Sequence, residues 1–343
     1  MINTTITTFS QTNKLRFFLF GLIISISACT ESDLQENTRV YNDLPFIQDY
    51  AEQFELITSQ AVPELLEVTC DRNKNIKVLS AEGLLQPWEK KLAADQLYRP
   101  ISDMKIISIT SFKNQFVYLT DKAILSNAWA GKFYIKHNID SCSHFVLGDD
   151  FLVMVAAREK LAFFADSELV WEESLNDFEP IELLYNSNQR HFVILSKSGV
   201  YTFNIVDKQL IMRFNAESIT SMALVAEKSL LVIGTEDGII SLDSESFKEM
   251  SPLNTKLPNT NISCITEING KLWFGSSKGA FSLRDDGKYD YYASKRWLVD
   301  DHVIDISAGP DNSVLFLTET GLSKIVFTKM TLAEKAEYFQ EVQ

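Results

Sequence analysis

Histidine and cysteine are scarce, with four of each in 343 residues. The histidines, His137, His144, His191 and His302, include no i, i+4 pair, so their spacing does not fit a helix-borne zinc hydrolase site. Cys142 and His144 stand two apart, a spacing that strands produce often by chance. Positive charge is also short: 32 lysines and arginines face 46 acids, for a formal charge of −14. That balance argues against nucleic acid, whose phosphates need a clustered cationic surface. The acidic pairs Asp149-Asp150, Asp285-Asp286 and Asp300-Asp301 lack the alternating ligand spacing of a calcium loop and read as turns. No metal or cofactor is expected. What is present is ordinary for a globular chain, 45% hydrophobic and 23% charged, which excludes wholesale disorder and a polytopic membrane protein.

Residues 1–28 read as a secretory signal. They hold no acid, place Lys14 and Arg16 before the apolar stretch Phe17 to Ile26, and end in small residues. A stretch of about ten is half of what a spanning helix needs. Ile26-Ser27-Ala28-Cys29 resembles a bacterial lipobox, which implies a lipid on Cys29 and firm attachment to a bilayer by several acyl chains. Thr30, rather than Asp, resembles an outer-membrane address, on the periplasmic side or the cell surface. Loss of the signal removes two cations and brings the formal charge to −16. Residues 29–43 are polar without a period and read as a tether. Cys70, Cys142 and Cys264 then remain. In an oxidising compartment one pair could bridge, but each sits among β-branched or aromatic residues and reads as a buried thiol.

The strongest signal is a repeat. An alternating apolar strand, a Thr/Ser-rich turn and a second apolar strand recur, most clearly in Leu230-Leu-Val-Ile-Gly-Thr-Glu-Asp-Gly238, Lys271-Leu-Trp-Phe-Gly-Ser-Ser-Lys-Gly279 and Val314-Leu-Phe-Leu-Thr-Glu-Thr-Gly321. Equivalent turn positions are 83, 123, 160, 199, 238, 279 and 321, at intervals of 40, 37, 39, 39, 41 and 42. Glycine suits such turns because positive φ costs other residues energy, and Ala123 and Lys160 depart from it. A further apolar run precedes each hairpin and an often aromatic one follows it. Four strands per repeat make a blade that cannot bury its two apolar faces alone. Residues 44–328 therefore predict an all-β, seven-bladed β-propeller of four-stranded blades, with a β-sandwich as the structural alternative. The last repeat has only three strands, so its outer strand should come from Phe46 to Ile57.

The stretch from Asn261 to Leu283 resembles the two-component regulator propeller repeat, with its Gly-x-Leu-Trp-x-Gly strand and x-x-Gly turn; Ser276 stands where that repeat usually has Thr. The blade around Gly238 is similar, and the other five are looser. The resemblance implies a ligand-binding, sensor-type extracytoplasmic propeller, although this chain carries no kinase or DNA-binding part. Past the propeller, Thr331-Leu-Ala-Glu334 has capping-box spacing, and Leu332, Ala336 and Phe339 share a face, predicting a short C-terminal helix in 329–343. This segment also resembles the junction that leads, in longer proteins, into a helical glycosidase-like domain.

Gly275-Ser-Ser-Lys-Gly279 spells a nucleophile elbow, but a strand follows it instead of a helix, so Ser277 reads as a turn residue. Less ordinary is Tyr289-Asp-Tyr-Tyr-Ala-Ser-Lys-Arg-Trp297, with four aromatics and two cations in nine residues of an acidic chain. Strand order places it on the face of the Gly275–Gly279 turn. Ser276, Lys278, Tyr292, Lys295, Arg296 and Trp297 form the candidate binding face, since aromatics beside cations suit a sugar ring or a protein anchor. The competing reading packs the tyrosines in an edge strand and uses Trp297 as a plug between blades. The function expected is a lipid-anchored, non-catalytic binding module for a protein or glycan. An outer-membrane assembly scaffold is the alternative. A propeller enzyme such as a lactonase or quinoprotein ranks third, because no converging carboxylates or cofactor pocket are visible.

Overall fold

The computed structural model describes residues 52–59, 63–95, 104–113, 115–126, 134–251, 253, 256–327 and 337. The signal, Cys29 and the tether through residue 43 lie outside them. So does the expected C-terminal helix in 329–343, apart from Glu337. The described elements are strands, joined by 3-10 turns at Asp149–Phe151 and Ala226–Lys228, and Glu337 is in helical conformation.

β1 (Glu52–Ser59) is followed by β2 (Leu65–Cys70), β3 (Ile76–Ser80), β4 (Gly83–Trp88) and β5 (Lys91–Ala94). Next come β6 (Ile106–Phe112), β7 (Gln115–Thr120), β8 (Ala123–Ser126) and β9 (Tyr134–Lys136), then β10 (Cys142–Leu147), β11 (Val153–Ala157), β12 (Lys160–Ala165) and β13 (Glu168–Ser174). β14 (Pro180–Asn186), β15 (His191–Ser196), β16 (Gly199–Asn204) and β17 (Gln209–Phe214) form the following group, and β18 (Ile219–Val225), β19 (Leu230–Thr235) and β20 (Gly238–Asp243) the one after. The chain continues with β21 (Ile262–Ile268), β22 (Lys271–Ser276), β23 (Gly279–Leu283) and β24 (Tyr289–Tyr292), and closes with β25 (Val303–Ala308), β26 (Ser313–Thr318) and β27 (Gly321–Phe327).

Hydrogen bonding corrects the expected count of seven separate four-stranded blades. Five sheets stand alone: β6–β9, β10–β13, β14–β17 and β21–β24 with four strands each, and β18–β20 with three. The other eight strands form one continuous sheet, in the order β2-β3-β4-β5-β1-β27-β26-β25. Its midpoint explains the merger. β1 lies antiparallel to β27, from Glu52 opposite Phe327 to Thr58 opposite Gly321, and its last residues run parallel to β5, Thr58 beside Lys91 and Ser59 beside Leu92. The N-terminal strand thus supplies the outer strand missing from the last repeat and touches the first repeat as well. Lys324 and Glu55 add an ion pair of 3.6 Å across β1 and β27.

Burial follows position within each sheet. The second strands are sandwiched on both faces, and β11, β19 and β26 are buried along their whole length. Outer strands β13 and β17 are mostly exposed. The core is accordingly divided into packets between neighbouring sheets. In one of them Phe163 of β12 packs against Phe192 and Phe203, at centroid separations of 5.8 and 5.2 Å. Each buried side chain of this size contributes roughly 1.5–3 kcal/mol, so a sheet without its neighbours would lose most of its stability.

First strands pack on first strands. β2 touches β6, β6 touches β10, and the contacts pass through β14, β18, β21 and β25 back to β2, closing a cycle around a common interior.

Candidate functional site

The repeated turns explain Ser276. Its hydroxyl donates to the Gly279 carbonyl at 2.6 Å, and its oxygen accepts the Lys278 N–H at 3.2 Å. Ser80, Thr120, Ser196, Thr235 and Thr318 make the same bond to the carbonyls of Gly83, Ala123, Gly199, Gly238 and Gly321. The Thr/Ser enrichment of the repeat is therefore a set of turn staples, and Ser276 is fully buried as one of them. Gly279 has φ +106, and a Cβ on it would stand 2.4 Å from the Tyr292 carbonyl oxygen. Steric room and backbone conformation both demand glycine there.

Residues 293–302 fold onto this turn. The Gly279 N–H donates to the Asp301 carbonyl at 2.6 Å, and the Tyr291 hydroxyl donates to the Lys278 carbonyl. The Asp301 carboxylate accepts the Ser294 N–H at 2.6 Å, and Asp300 accepts the amides of His302 and Thr320 at 2.9 Å each. The Asp300-Asp301 pair thus organises the loop. These bonds join the Lys278 turn to the segment carrying Lys295, Arg296 and Trp297, but access to the side chains is unequal. Lys278 and Lys295 are exposed and Arg296 is half-buried, whereas Tyr292 and Trp297 are buried, the latter 1% exposed. Tyr292 packs on Trp273 and Phe316, at 5.7 and 6.1 Å between centroids. Trp297 meets Tyr292 edge-on at 5.9 Å and Phe54 at 5.3 Å. The Arg296 guanidinium lies 4.7 Å from the Trp297 ring centre, within reach of a cation–π contact.

Phe54 is an addition that the local sequence does not signal. It comes from β1, more than two hundred residues upstream, and its ring is 43% exposed beside Trp297 and Arg296. Only the closing of the last repeat by an N-terminal strand brings it here.

A second cluster faces the interior that the first strands surround. Every first strand shifts register against its second strand, and the residue that resumes the pairing is Glu67, Ser108, His144, Glu182, Ser221, Cys264 or Asp305. Three of these are carboxylates that reach the next first strand. Glu67 accepts the Ile109 N–H at 2.7 Å and the Ser108 hydroxyl at 3.0 Å. Glu182 accepts the Met222 N–H at 2.7 Å, and Asp305 accepts the Val68 N–H at 2.8 Å. Burial pushes the Glu182 carboxyl up to about 8, against the pull of the Met222 amide and with help from Asp305. Burial likewise raises Glu67 to about 7, with Asp305 adding to the shift, and Asp305 to about 6. All three side chains are half-buried, and Asp305 adds to the upward shift of both Glu67 and Glu182. The sequence signal was the third residue of each first strand, as in Leu65-Leu-Glu67, Pro180-Ile-Glu182 and Val303-Ile-Asp305.

Cys70, Cys142 and Cys264 are free thiols, and burial raises all three above the ordinary thiol value. His144 is lowered by burial, and its Nδ1 lies 2.8 Å from the Ser143 hydroxyl. Among the described residues no three His, Cys, Asp or Glu side chains are grouped to hold a metal ion, and no helix is long and apolar enough to cross a membrane.

No protein-family model matches the chain, and no curated protein matches it. Solved structures do share its fold. A streptogramin B lyase aligns with TM-score 0.62 and 11% identity, over 80% of this chain and 97% of that one. The extracellular domain of a hybrid two component system from B. thetaiotaomicron aligns with TM-score 0.63 and 16% identity, over 80% of this chain and 39% of that one. The Neurospora crassa Pan2 WD40 domain aligns with TM-score 0.56 and 11% identity, over 78% of this chain and 92% of that domain. The fold is propeller-like. The chain spans 39% to 41% of the length of the two-component and one-component extracellular domains it matches.

Proposed function

We propose that this chain is an exported, lipid-anchored propeller that binds a protein or glycan, without catalysis, through the face carrying Lys278, Lys295 and Arg296. In this reading the eight-stranded sheet works as two four-stranded blades, and the ring has seven members. The observation that carries the binding proposal is the geometry of that face. In a chain of formal charge −14, Lys278 on the β22–β23 turn and Lys295 on the loop pinned by Asp300 and Asp301 stand in solvent, with Arg296 on Trp297 and the exposed Phe54. Aromatic surface beside fixed cations anchors partners efficiently, because it buries much area while directing polar contacts. The likeness to extracellular domains of signalling proteins supports a sensor-type role.

Crosslinking in cells followed by mass spectrometry tests this reading. Wild type is expected to yield a discrete adduct or captured glycan that the combined Lys278→Ala, Lys295→Ala and Arg296→Ala variant loses; retention of every interaction sinks the face. Cys29→Ser is expected to move the chain from the membrane to the soluble fraction. A scaffold role is a second reading, favoured by the exposed apolar side chains Leu169, Val170, Ile211 and Met212 on outer strands β13 and β17.

A further inference from the structure

The sheet β18–β20 departs from the repeat, with three strands where its neighbours β14–β17 and β21–β24 have four. Among the described residues, the chain that follows pairs with β20 only around Glu249, opposite Leu242. There the Asp243 N–H donates to the Lys248 carbonyl and the Met250 N–H to the Ser241 carbonyl, at 2.9 Å each. Between this short sheet and β21–β24 opens a cavity of about 880 Å³, within the roughly 300–1,000 Å³ of small-molecule sites. Its floor is the core packet that the two sheets share: Val225, Leu230 and Leu272 are at most 8% exposed. Leu253, from the stretch that stands where an outer strand would run, and Leu283 at the end of β23 are half-buried against the same packet and line the cavity. A space walled by leucines suits an apolar body.

The rim supplies the charge. Lys228 of the 3-10 turn, Lys271 at the start of β22 and Arg284 after β23 line the cavity, against the carboxylates of Asp285 and Asp286. Asp286 is already held, by Arg284 at 3.3 Å and by Lys288 at 3.9 Å, and the Glu267 carboxylate accepts the Gly270 N–H. Lys271 and Arg284 share Asp290, each at 3.7 Å, a length that leaves both ready for a closer anion. Lys228 is exposed and has no ion pair among the described residues. We infer that this cavity is a binding site for a small amphipathic anion, an apolar body with a carboxylate or sulfonate head. The body lies on Leu253 and Leu283, and the head meets Lys228, Lys271 and Arg284. The site is separate from the Lys278 face, because β22 runs from Lys271 at the cavity to Ser276 beside that turn, and the two stand at opposite ends of the strand.

Fluorescence titration of the folded full chain with anilinonaphthalene sulfonate, an apolar anion that brightens out of water, tests the site. Saturable binding of a single dye per chain is expected. Lys228→Glu, a change at an exposed position, should weaken it about fivefold, and Leu283→Trp, which fills the mouth, should abolish it. The combined Lys278→Ala, Lys295→Ala and Arg296→Ala variant should bind the dye as wild type does. Competition needs no variant to fold: below the concentrations at which they form micelles, laurate should displace the dye and dodecyltrimethylammonium, with the same tail and the opposite charge, should not. A dye that stays dark or never saturates, undiminished binding in Lys228→Glu, or equal displacement by the two competitors overturns the proposal. Loss of dye binding in the triple variant also overturns it, by moving the dye to the loop face.

Discussion

The loop face and the inner cycle treat charge in opposite ways. Lys278 and Lys295 keep their ammonium groups in water, and the loop beneath them is pinned by aspartates that accept backbone amides. Glu67, Glu182 and Asp305 are half-buried, and each accepts a backbone N–H of a neighbouring strand. A charge left in solvent remains available to a partner, whereas a carboxyl bonded to a neighbouring strand has an acceptor committed to the fold. Trp297 sits on the boundary, since it belongs to the cationic segment by sequence and to the core by packing.

That boundary yields the largest expected effect. Trp297→Ala should destabilise by about 3–5 kcal/mol, as for other buried aromatics, measured by denaturant unfolding; a near-neutral result would return Trp297 to the surface. Next in size, Gly279→Ala should cost more than about 1 kcal/mol, because its new Cβ meets the Tyr292 carbonyl. Gly83→Ala, at φ +130 with nothing within 4 Å, should cost less, and thermal melts of the two variants rank them. The turn staples come third. Thr235→Val should cost about 1 kcal/mol for its lost hydrogen bond, and the turn after Ala157, which has no hydroxyl to lose, sets the baseline by Ala157→Ser. Smallest of all, Lys278→Ala and Lys295→Ala should leave stability within about 0.5 kcal/mol, so that any loss of binding in them belongs to the face.

Much of the architecture was legible because the turn spacing and alternating apolar strands have a period, and period is what packing of like units requires. The missing outer strand of the last repeat also pointed to an N-terminal one, found as β1. Merger of the first and last repeats was not legible: it rests on a two-residue parallel contact of Thr58 and Ser59, which leaves no pattern in sequence. The candidate face was half legible. Lys278, Lys295 and Arg296 were readable as rare cations, but the burial of Tyr292, Trp297 and Ser276 depends on Phe54, Phe316 and a turn carbonyl supplied by folding. The inner carboxyls carry no local signal, because a single acid in an apolar strand looks like any solvent-facing position. Only alignment of the first strands at their shared register shift shows that Glu67, Glu182 and Asp305 occupy one place.

Site-specific photocrosslinking in cells tests the binding account most directly, with the crosslinker placed at position 278 on the loop face and, separately, at position 212 on the outer strand β17. Abundant, discrete adducts from position 278 and few from position 212 are predicted. Adducts from position 212 alone would contradict the account and turn the molecule's working surface to its outer strands.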